Sequence, residues 1–125
     1  MRLTCSGWPG ASRWAAPSLS VGYSGDWGCK AALLAGADCW YSVAGGLFPE
    51  QAAALAAAAV RGDREEADRC DAAFAGMWNL FRAHGSLRLI YAVANMLGLT
   101  ETQPPKPLLG PDAMLKASLL KALPR

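Results

Sequence analysis

The feature that most constrains the fold of this chain is a pair of short strand-like runs with one short helix between them. Residues 18–23 alternate in polarity and lead into the turn Ser24-Gly25-Asp26, and residues 37–43 form a second run that two glycines end. Between them, residues 27–35 predict a helix that stops at a glycine. Connections this tight predict parallel strands joined by a right-handed crossover.

Most of the remaining chain is predicted to be helical. Pro49 suits a first helical turn, so a helix is expected over residues 49–61. Asp63, with Glu66 three residues later, has the pattern of a capping box at the start of a long helix. Helical spacing predicts that this long helix buries one face, made of Ala67, Cys70, Phe74, Met77, Trp78 and Phe81.

Two further helices are expected towards the carboxyl end. Ser86 is expected to cap the first, after a stop at Gly85, and the second covers residues 112–123. Prolines make residues 103–107 an extended linker between them, because proline donates no amide hydrogen bond. The apolar stripe of the first helix is predicted as Leu87, Ile90, Tyr91, Ala94 and Leu97.

The element order divides the chain into three parts. Residues 1–17 show no periodicity and are predicted to be loop or disorder, residues 18–62 form the strand-bearing part, and residues 63–125 form a helical region. Two parallel strands alone leave both edges unpaired, and parallel sheets are normally buried on both faces. The pattern therefore resembles the closing end of a larger α/β barrel.

Composition excludes several classes of function. Twelve Lys and Arg residues are scattered among ten Asp and Glu residues, with a net charge of +2 and no basic run, so no nucleic-acid partner is indicated. The longest nearly uncharged apolar stretch, residues 52–60, is about half of what a bilayer crossing requires, and no signal peptide is evident, so a cytoplasmic location is expected. Four cysteines and one histidine have no metal-ligand spacing, so no metal site and no cofactor are predicted.

The motifs and their order resemble the carboxy-terminal part of the dihydrodipicolinate synthase and N-acetylneuraminate lyase family. In that family the seventh barrel strand ends in a turn like Ser24-Gly25-Asp26, and a helix-ending glycine precedes an eighth strand like residues 40–43. A Gly-Asp pair before a long helix, like Gly62-Asp63, and a Gly-Leu helix end, like Gly98-Leu99, follow in the same order. The resemblance implies an α/β fold, with strands 7 and 8 of a (β/α)₈ barrel and a helical extension.

The resemblance also implies an activity. Members of the family are lyases that bind pyruvate, a keto acid, as a Schiff base on a lysine of the sixth strand, and they often form homo-oligomers. That lysine has no counterpart in this chain, so no catalytic residue is assigned. Only Gly25, Asp26, Tyr41 and Ser42 fall at the carboxyl ends of the strands, where the resemblance implies that they bind substrate.

Each of these residues also has a purely structural interpretation. Asp26 is a natural N-cap for the helix that follows it, and Gly25 can serve an unusual backbone angle. Tyr41 and Trp40 can fill alternate faces of a strand, and His84 can gain from the dipole at a helix end.

None of the lysines present is expected to replace the missing one. A Schiff-base lysine needs a pocket that keeps it deprotonated. Such a pocket is expected for none of Lys30, Lys106, Lys116 and Lys121. The chain alone is therefore predicted to be inactive as a lyase.

Two hypotheses follow. The chain is the carboxy-terminal part of a pyruvate-dependent, aldolase-type lyase, or it is a small non-enzymatic helical interaction module. The Trp-, Ser-, Gly-, Arg- and Pro-rich composition of residues 1–17 further suggests coding DNA translated in another frame, as in a truncated or frame-disrupted gene product. Sequencing of the upstream DNA would test this, since it should encode the preceding barrel strands in a different frame.

Overall fold

Two short strands and five α-helices make up residues 18–125, the part of the chain that the computed structural model describes. The expectations for residues 1–17 lie outside the described residues. The elements in chain order are β1 (Gly22–Ser24), α1 (Cys29–Leu34), β2 (Cys39–Tyr41), a 3₁₀ turn (Ala44–Gly46), α2 (Pro49–Val60), α3 (Arg64–His84), α4 (Ser86–Met96) and α5 (Ala113–Ala122).

The two strands pair in parallel, as the strand-helix-strand pattern predicts. Gly22 lies opposite Cys39, and Ser24 lies opposite Tyr41. Both strands are three residues long and shorter than expected. Just before β1, the Val21 carbonyl accepts a hydrogen bond from the Asp38 amide. The Val21 amide donates to the carboxylate of the same residue, so a side chain replaces a neighbouring strand as its partner.

The sequence places the start of α3 correctly, but only half of the predicted capping box forms. The Asp63 carboxylate accepts from the Glu66 amide at 3.1 Å. The Asp63 amide already donates to the Ala58 carbonyl, so it is not available to the Glu66 side chain. The Glu66 carboxylate binds Arg69 instead, at 2.6 Å.

The expectation that Ser86 caps α4 is wrong. Gly85, with a φ of 85°, both ends α3 and occupies the cap position of α4, and Ser86 is already the first helical residue. A junction of one residue leaves no position for a side-chain cap between the two helices. The positive φ of Gly85 lies in the region that L side chains rarely adopt.

Helix α3 lies at the centre of the fold and packs against α1, α2, α4 and α5. Its predicted face is buried, apart from Cys70, which is half-buried. Phe74 stacks on Trp78 with ring centroids 4.6 Å apart, and Trp40 of β2 meets Trp78 edge-on at 6.5 Å. The stacked aromatic rings therefore join the sheet to the helical part of the chain.

The buried face of α4 differs from the predicted stripe. The buried residues are Leu89, Ala92 and Val93, whereas Leu87 and Leu97 are exposed. Leu87 and Leu89 are equally apolar, so helical spacing alone does not decide which of the two faces the core. Packing against α3 and α5 selects the face, and the sequence pattern alone does not.

Candidate functional site

The structure brings the four predicted site residues together at one edge of the sheet. Gly25 and Asp26 follow β1, Tyr41 ends β2, and Ser42 follows it. The carboxyl ends of parallel strands lie at the same edge, which is where ligands bind in open α/β sheets. The side chains of Asp26 and Ser42 are in direct contact there.

Asp26 is buried, with 2% of its surface exposed, and its carboxylate has three hydrogen-bond donors. Ser42 Oγ donates at 2.8 Å, the Val43 amide at 3.2 Å and the Ala44 amide at 3.1 Å. A carboxylate at the start of a helical turn satisfies amides that have no partner within that turn. Asp26 therefore caps the 3₁₀ turn that follows β2.

The interpretation of Asp26 as the N-cap of α1 is wrong. Gly28 occupies that cap position, and α1 has no side-chain cap hydrogen bond. Asp26 contributes only its main-chain carbonyl to α1, which accepts from the Cys29 amide at 3.2 Å. Its side chain instead joins the loop after β1 to the loop after β2.

The hydroxyl of Ser42 is fully engaged with the protein. It donates to Asp26 and accepts from the Gly45 amide at 2.8 Å. A nucleophilic serine needs a neighbouring base that is free to take its proton, and the Asp26 carboxylate already has three donors. Ser42 and Asp26 therefore hold the two loops in position, and a role of either in contacting substrate stays a prediction.

Gly25 has an unusual backbone angle, as expected if it is needed for structural reasons alone. Its φ is +132°, in the region where L side chains are strained. A Cβ at this position would also lie 3.2 Å from the hydroxyl oxygen of Tyr23. The tight turn after β1 therefore requires glycine whether or not Gly25 also borders a ligand.

Tyr41 is the most accessible of the four residues, with 65% of its surface exposed. It lies on the sheet face opposite to Trp40, whose ring packs into the core. A hydrogen bond with Cys39, two residues earlier on the same face, raises the pKa of the Tyr41 hydroxyl. The ring lies over Gly22, where a Cβ would collide with it.

The main-chain amides of Val43, Ala44 and Gly45 are parts of this site that the sequence did not indicate. They hold Asp26 and Ser42 in place, yet main-chain groups carry no residue signature. The contact between Cys39 and Tyr41 likewise has no signature in the sequence. Within residues 18–125 no group of three or more possible metal ligands forms.

Lys30 is held in its protonated form by two carboxylates. Its Nζ lies 2.8 Å from Asp68 and 3.3 Å from Asp71. The hydrogen bond with Asp68 is the largest cause of the raised pKa of Lys30, while partial burial opposes it. A raised pKa is the reverse of what Schiff-base formation requires.

The expectation that no lysine lies in a pocket is wrong for Lys116. It lines an open cleft of about 220 Å³ between α4, the proline linker and α5, together with Arg88, Tyr91 and Gln103. Its side chain remains exposed. Pro104, Gly110 and Pro111, all between α4 and α5, form one wall, which periodicity in the sequence does not predict.

No helix in the described part of the chain is long and apolar enough to cross a bilayer. This finding agrees with the short apolar stretch in the sequence.

Comparison with solved structures gives a sequence match as well as a fold match. Over 86% of its length, the chain is 48% identical to the dihydrodipicolinate synthase of Agrobacterium tumefaciens str. C58, with a TM-score of 0.84. The match covers 36% of the Agrobacterium chain, so this chain spans about a third of the length of that relative.

Two further structures show the fold alone. Dihydrodipicolinate synthase from Aquifex aeolicus is 22% identical over 85% of this chain and 36% of its own, with a TM-score of 0.77. The chloride-inhibited enzyme from Acinetobacter baumannii, complexed with pyruvate, is 23% identical over 83% of this chain and 36% of its own, with a TM-score of 0.72. No protein-family model matches the chain, and no curated protein matches it.

These matches first define a class, that of helix-rich α/β chains related to TIM-barrel lyases. Within that class the match is to dihydrodipicolinate synthases, and the resemblance to that family that the sequence indicates is confirmed.

Proposed function

We propose that this chain is the carboxy-terminal part of a pyruvate-dependent, dihydrodipicolinate synthase-like lyase. The observation that carries the proposal is 48% identity over 86% of the chain with the Agrobacterium enzyme. In this proposal β1 and β2 are barrel strands 7 and 8, α1 and α2 are the helices that follow them, and α3 to α5 form the helical extension. The division at residue 62 and a cytoplasmic location belong to the same proposal.

The proposed site is the edge of the sheet that holds Gly25, Asp26, Tyr41 and Ser42. Tyr41 is the one of these whose side chain is open to a keto-acid substrate, since it is 65% exposed. Asp26 acts through the loop after β2, because its carboxylate binds that loop. Gly25 permits the tight turn that brings Asp26 there.

The chain by itself is proposed to lack lyase activity. Lys30 is ion-paired, and Lys106, Lys116 and Lys121 are exposed. A Schiff-base lysine needs a closed pocket, and none of these side chains has one. No cofactor enters the proposed chemistry.

A chimera tests the proposal directly. Residues 18–125 replace the matching segment of the Agrobacterium enzyme, and the chimera is incubated with pyruvate and borohydride and then analysed by mass spectrometry. A reduced adduct on the Agrobacterium portion is expected, at a yield close to that of the unaltered enzyme. A folded chimera that forms no adduct contradicts the proposal.

The chain alone is the second sample in this experiment. No adduct is expected on any of its lysines. An adduct on Lys30 or Lys116 contradicts the proposed inactivity and identifies an independent active site.

A non-enzymatic interaction module remains the second candidate function. It is favoured by the apolar surface left open on α2, where Val60 is 57% exposed. The chimera separates the two, because a chain that serves only as an interaction module has no reason to complete a pyruvate site.

A further inference from the structure

The open cleft that Lys116 lines has two cationic side chains and no anionic one among the described residues that line it. Arg88 lies in the first turn of α4 and Lys116 in the first turn of α5, and the amide side chains of Asn95 and Gln103 are neutral. All of the lining residues lie between positions 88 and 116, so the cleft is separate from the site at the carboxyl ends of β1 and β2.

The charge of Arg88 has no carboxylate partner in the described part of the chain. The ion pairs within residues 18–125 involve other side chains. Arg88 Nη2 donates to the neutral Gly110 carbonyl at 3.1 Å, and Nε is buried without an acceptor in that part of the chain. Residues 1–17 contain no Asp or Glu. A half-buried charge without a counter-ion is unfavourable, so an anion in the cleft would stabilise the guanidinium.

Lys116 contributes a second charge that is likewise outside the ion pairs of residues 18–125. The Asp112 carboxylate, four positions earlier, caps α5 by accepting from the Leu115 amide at 2.8 Å, and it does not line the cleft. Two positive charges at one cleft attract a ligand with negative charge.

The size of the cleft limits the ligand. Its volume is about 220 Å³, below the roughly 300–1,000 Å³ that is typical of pockets for drug-sized ligands. That volume corresponds to about seven water molecules at liquid density. The apolar part of the lining includes Tyr91, Met96, Pro104 and Pro111. The ligand that fits is therefore a small molecule with one anionic group and a short apolar body.

The start of α5 favours a carboxylate over a phosphate as this anionic group. Phosphate groups commonly bind main-chain amides that are free at a helix N-terminus. Here the Leu115 amide donates to the Asp112 carboxylate, and the Lys116 amide donates to the Asp112 carbonyl. The Asp112 carboxylate also puts a negative charge at this helix end, which repels a dianion more than a monoanion.

We propose that this cleft, here called the Arg88–Lys116 cleft, binds a small organic carboxylate. The carboxylate group lies against Arg88 and Lys116, and the apolar body of the ligand packs on Tyr91 and Pro104. A charge-assisted hydrogen bond is roughly twice as strong as a neutral one, so the charge of the ligand should dominate its affinity. The inference is independent of the lyase function, because the cleft contains none of the residues of the proposed substrate site.

Titration of the full chain with benzoate, followed by NMR, tests the proposal. Benzoate joins one carboxylate to a single apolar ring, and benzamide is its neutral counterpart of almost the same shape. Saturable shifts of the Arg88, Tyr91 and Lys116 amides are expected with benzoate, and benzamide should bind about tenfold more weakly. Absence of saturable shifts with benzoate overturns the proposal, and so do equal affinities for the two compounds.

Two lysine substitutions on α5 locate the binding. Lys116→Gln should weaken benzoate binding about threefold, because it removes an exposed charge from the cleft. Lys121→Gln removes the same charge from the same helix outside the cleft, so the affinity should stay unchanged. Both side chains are exposed, so both variants are expected to fold. Equal effects would show that benzoate responds only to net charge and would overturn the assignment of the cleft.

Arg88→Gln tests the half-buried charge. It should weaken benzoate binding at least tenfold, because glutamine donates without a charge. Circular dichroism shows whether the variant is folded, and unchanged affinity in the folded variant overturns the role of Arg88. If the variant does not fold, the comparison of Lys116→Gln with Lys121→Gln decides the assignment.

Phenyl phosphate tests the choice of a carboxylate. It has the ring of benzoate but carries a phosphate group, which is mostly a dianion at neutral pH. It should bind no more tightly than benzoate, because the Asp112 carboxylate lies at the start of α5. Tighter binding of phenyl phosphate would overturn the choice of a carboxylate and identify the cleft as a phosphate site.

Discussion

The carboxylate of Asp26 accepts a hydrogen bond from the hydroxyl of Ser42 at 2.8 Å, and this contact joins the loops that follow β1 and β2. The two residues are sixteen positions apart in the chain. Two main-chain amides of the second loop donate to the same carboxylate. The position of Tyr41, which immediately precedes Ser42, therefore depends on a side chain that is buried and belongs to the neighbouring loop.

Replacement of Asp26 by alanine should destabilise the chain strongly. The substitution leaves two amides and one hydroxyl without their acceptor, and unsatisfied buried groups cost roughly 1–3 kcal/mol each, so a loss of about 3 kcal/mol is expected. Urea unfolding followed by circular dichroism measures it. Ser42→Ala removes one donor to Asp26 and the acceptor of the Gly45 amide, and it should cost about 1 kcal/mol. An equal cost for the two variants would show that the amides of the loop do not depend on Asp26.

Replacement of Lys30 by methionine should have a small effect on stability. Lys30 pairs with Asp68, which is 66% exposed, and with the less exposed Asp71. Pairs open to solvent contribute roughly 0–1 kcal/mol, so a loss below about 1 kcal/mol is expected, and less in high salt.

The pH dependence of this ion pair has a defined sign. The folded-state pKa of Lys30 is raised above the ordinary value of 10.5. The contribution of Lys30 is therefore fully present below pH 10.5 and is lost as the pH rises through the folded-state pKa. Any difference in unfolding free energy between the parent and Lys30→Met should therefore shrink in that alkaline range, and a difference that grows there would contradict the assignment.

The sequence predicts the elements of this fold better than it predicts the contacts of the site. Helical spacing places the buried face of α3 correctly because its three aromatic residues, Phe74, Trp78 and Phe81, all lie on one face. In α4 the same method selects the wrong face, because Leu87 and Leu89 are equally apolar and only packing distinguishes them.

The hydrogen-bond partners of the Asp26 side chain could not be predicted from its neighbours in sequence. An aspartate just before a helix is an ordinary N-cap, and the local pattern favours α1. The competing amides, those of Val43 and Ala44, come close only after β1 and β2 have paired. The sequence therefore indicates that Asp26 follows a strand and can cap a helical turn. Which turn it caps is decided only when the tertiary fold brings the Val43 and Ala44 amides to its carboxylate.

The thiol of Cys29 should resist alkylation in the folded chain. Cys29 is fully buried, and burial is the largest cause that raises its pKa to about 12, followed by the charge of Asp71. The thiolate is the reactive form, so iodoacetamide at pH 8 should modify the half-exposed Cys39 and Cys70 first. Mass spectrometry after timed quenching measures the order, and early labelling of Cys29 would show that this part of the core opens.

The titration of Cys29 should lower the free energy of unfolding at high pH. Its pKa rises from 9.0 to about 12 on folding, so between those values the unfolded state has released a proton that the folded state keeps. Stability is then expected to fall as the pH rises from 9 towards 12. In Cys29→Ala this component of the pH dependence should disappear, whereas the component from Lys30 should remain.

Replacement of Trp78 should separate its ring packing from its hydrogen bond. The ring stacks on Phe74 at 4.6 Å, and the indole Nε1 donates to Asp71 at 2.9 Å. Trp78→Phe keeps a stacked ring but removes the donor, so it should cost about 1–2 kcal/mol, including some loss of ring volume. Trp78→Ala opens a cavity between β2 and α3 and should cost about 4 kcal/mol.

A double-mutant cycle with Asp71→Asn isolates the hydrogen bond of Trp78. If the bond contributes, the Trp78→Phe change should cost less in the Asp71→Asn background than in the parent, because asparagine is the weaker acceptor. Urea unfolding of the four chains measures the difference. Equal costs in both backgrounds would mean that Trp78 stabilises this chain through its ring alone, and that Asp71 acts only on Lys30.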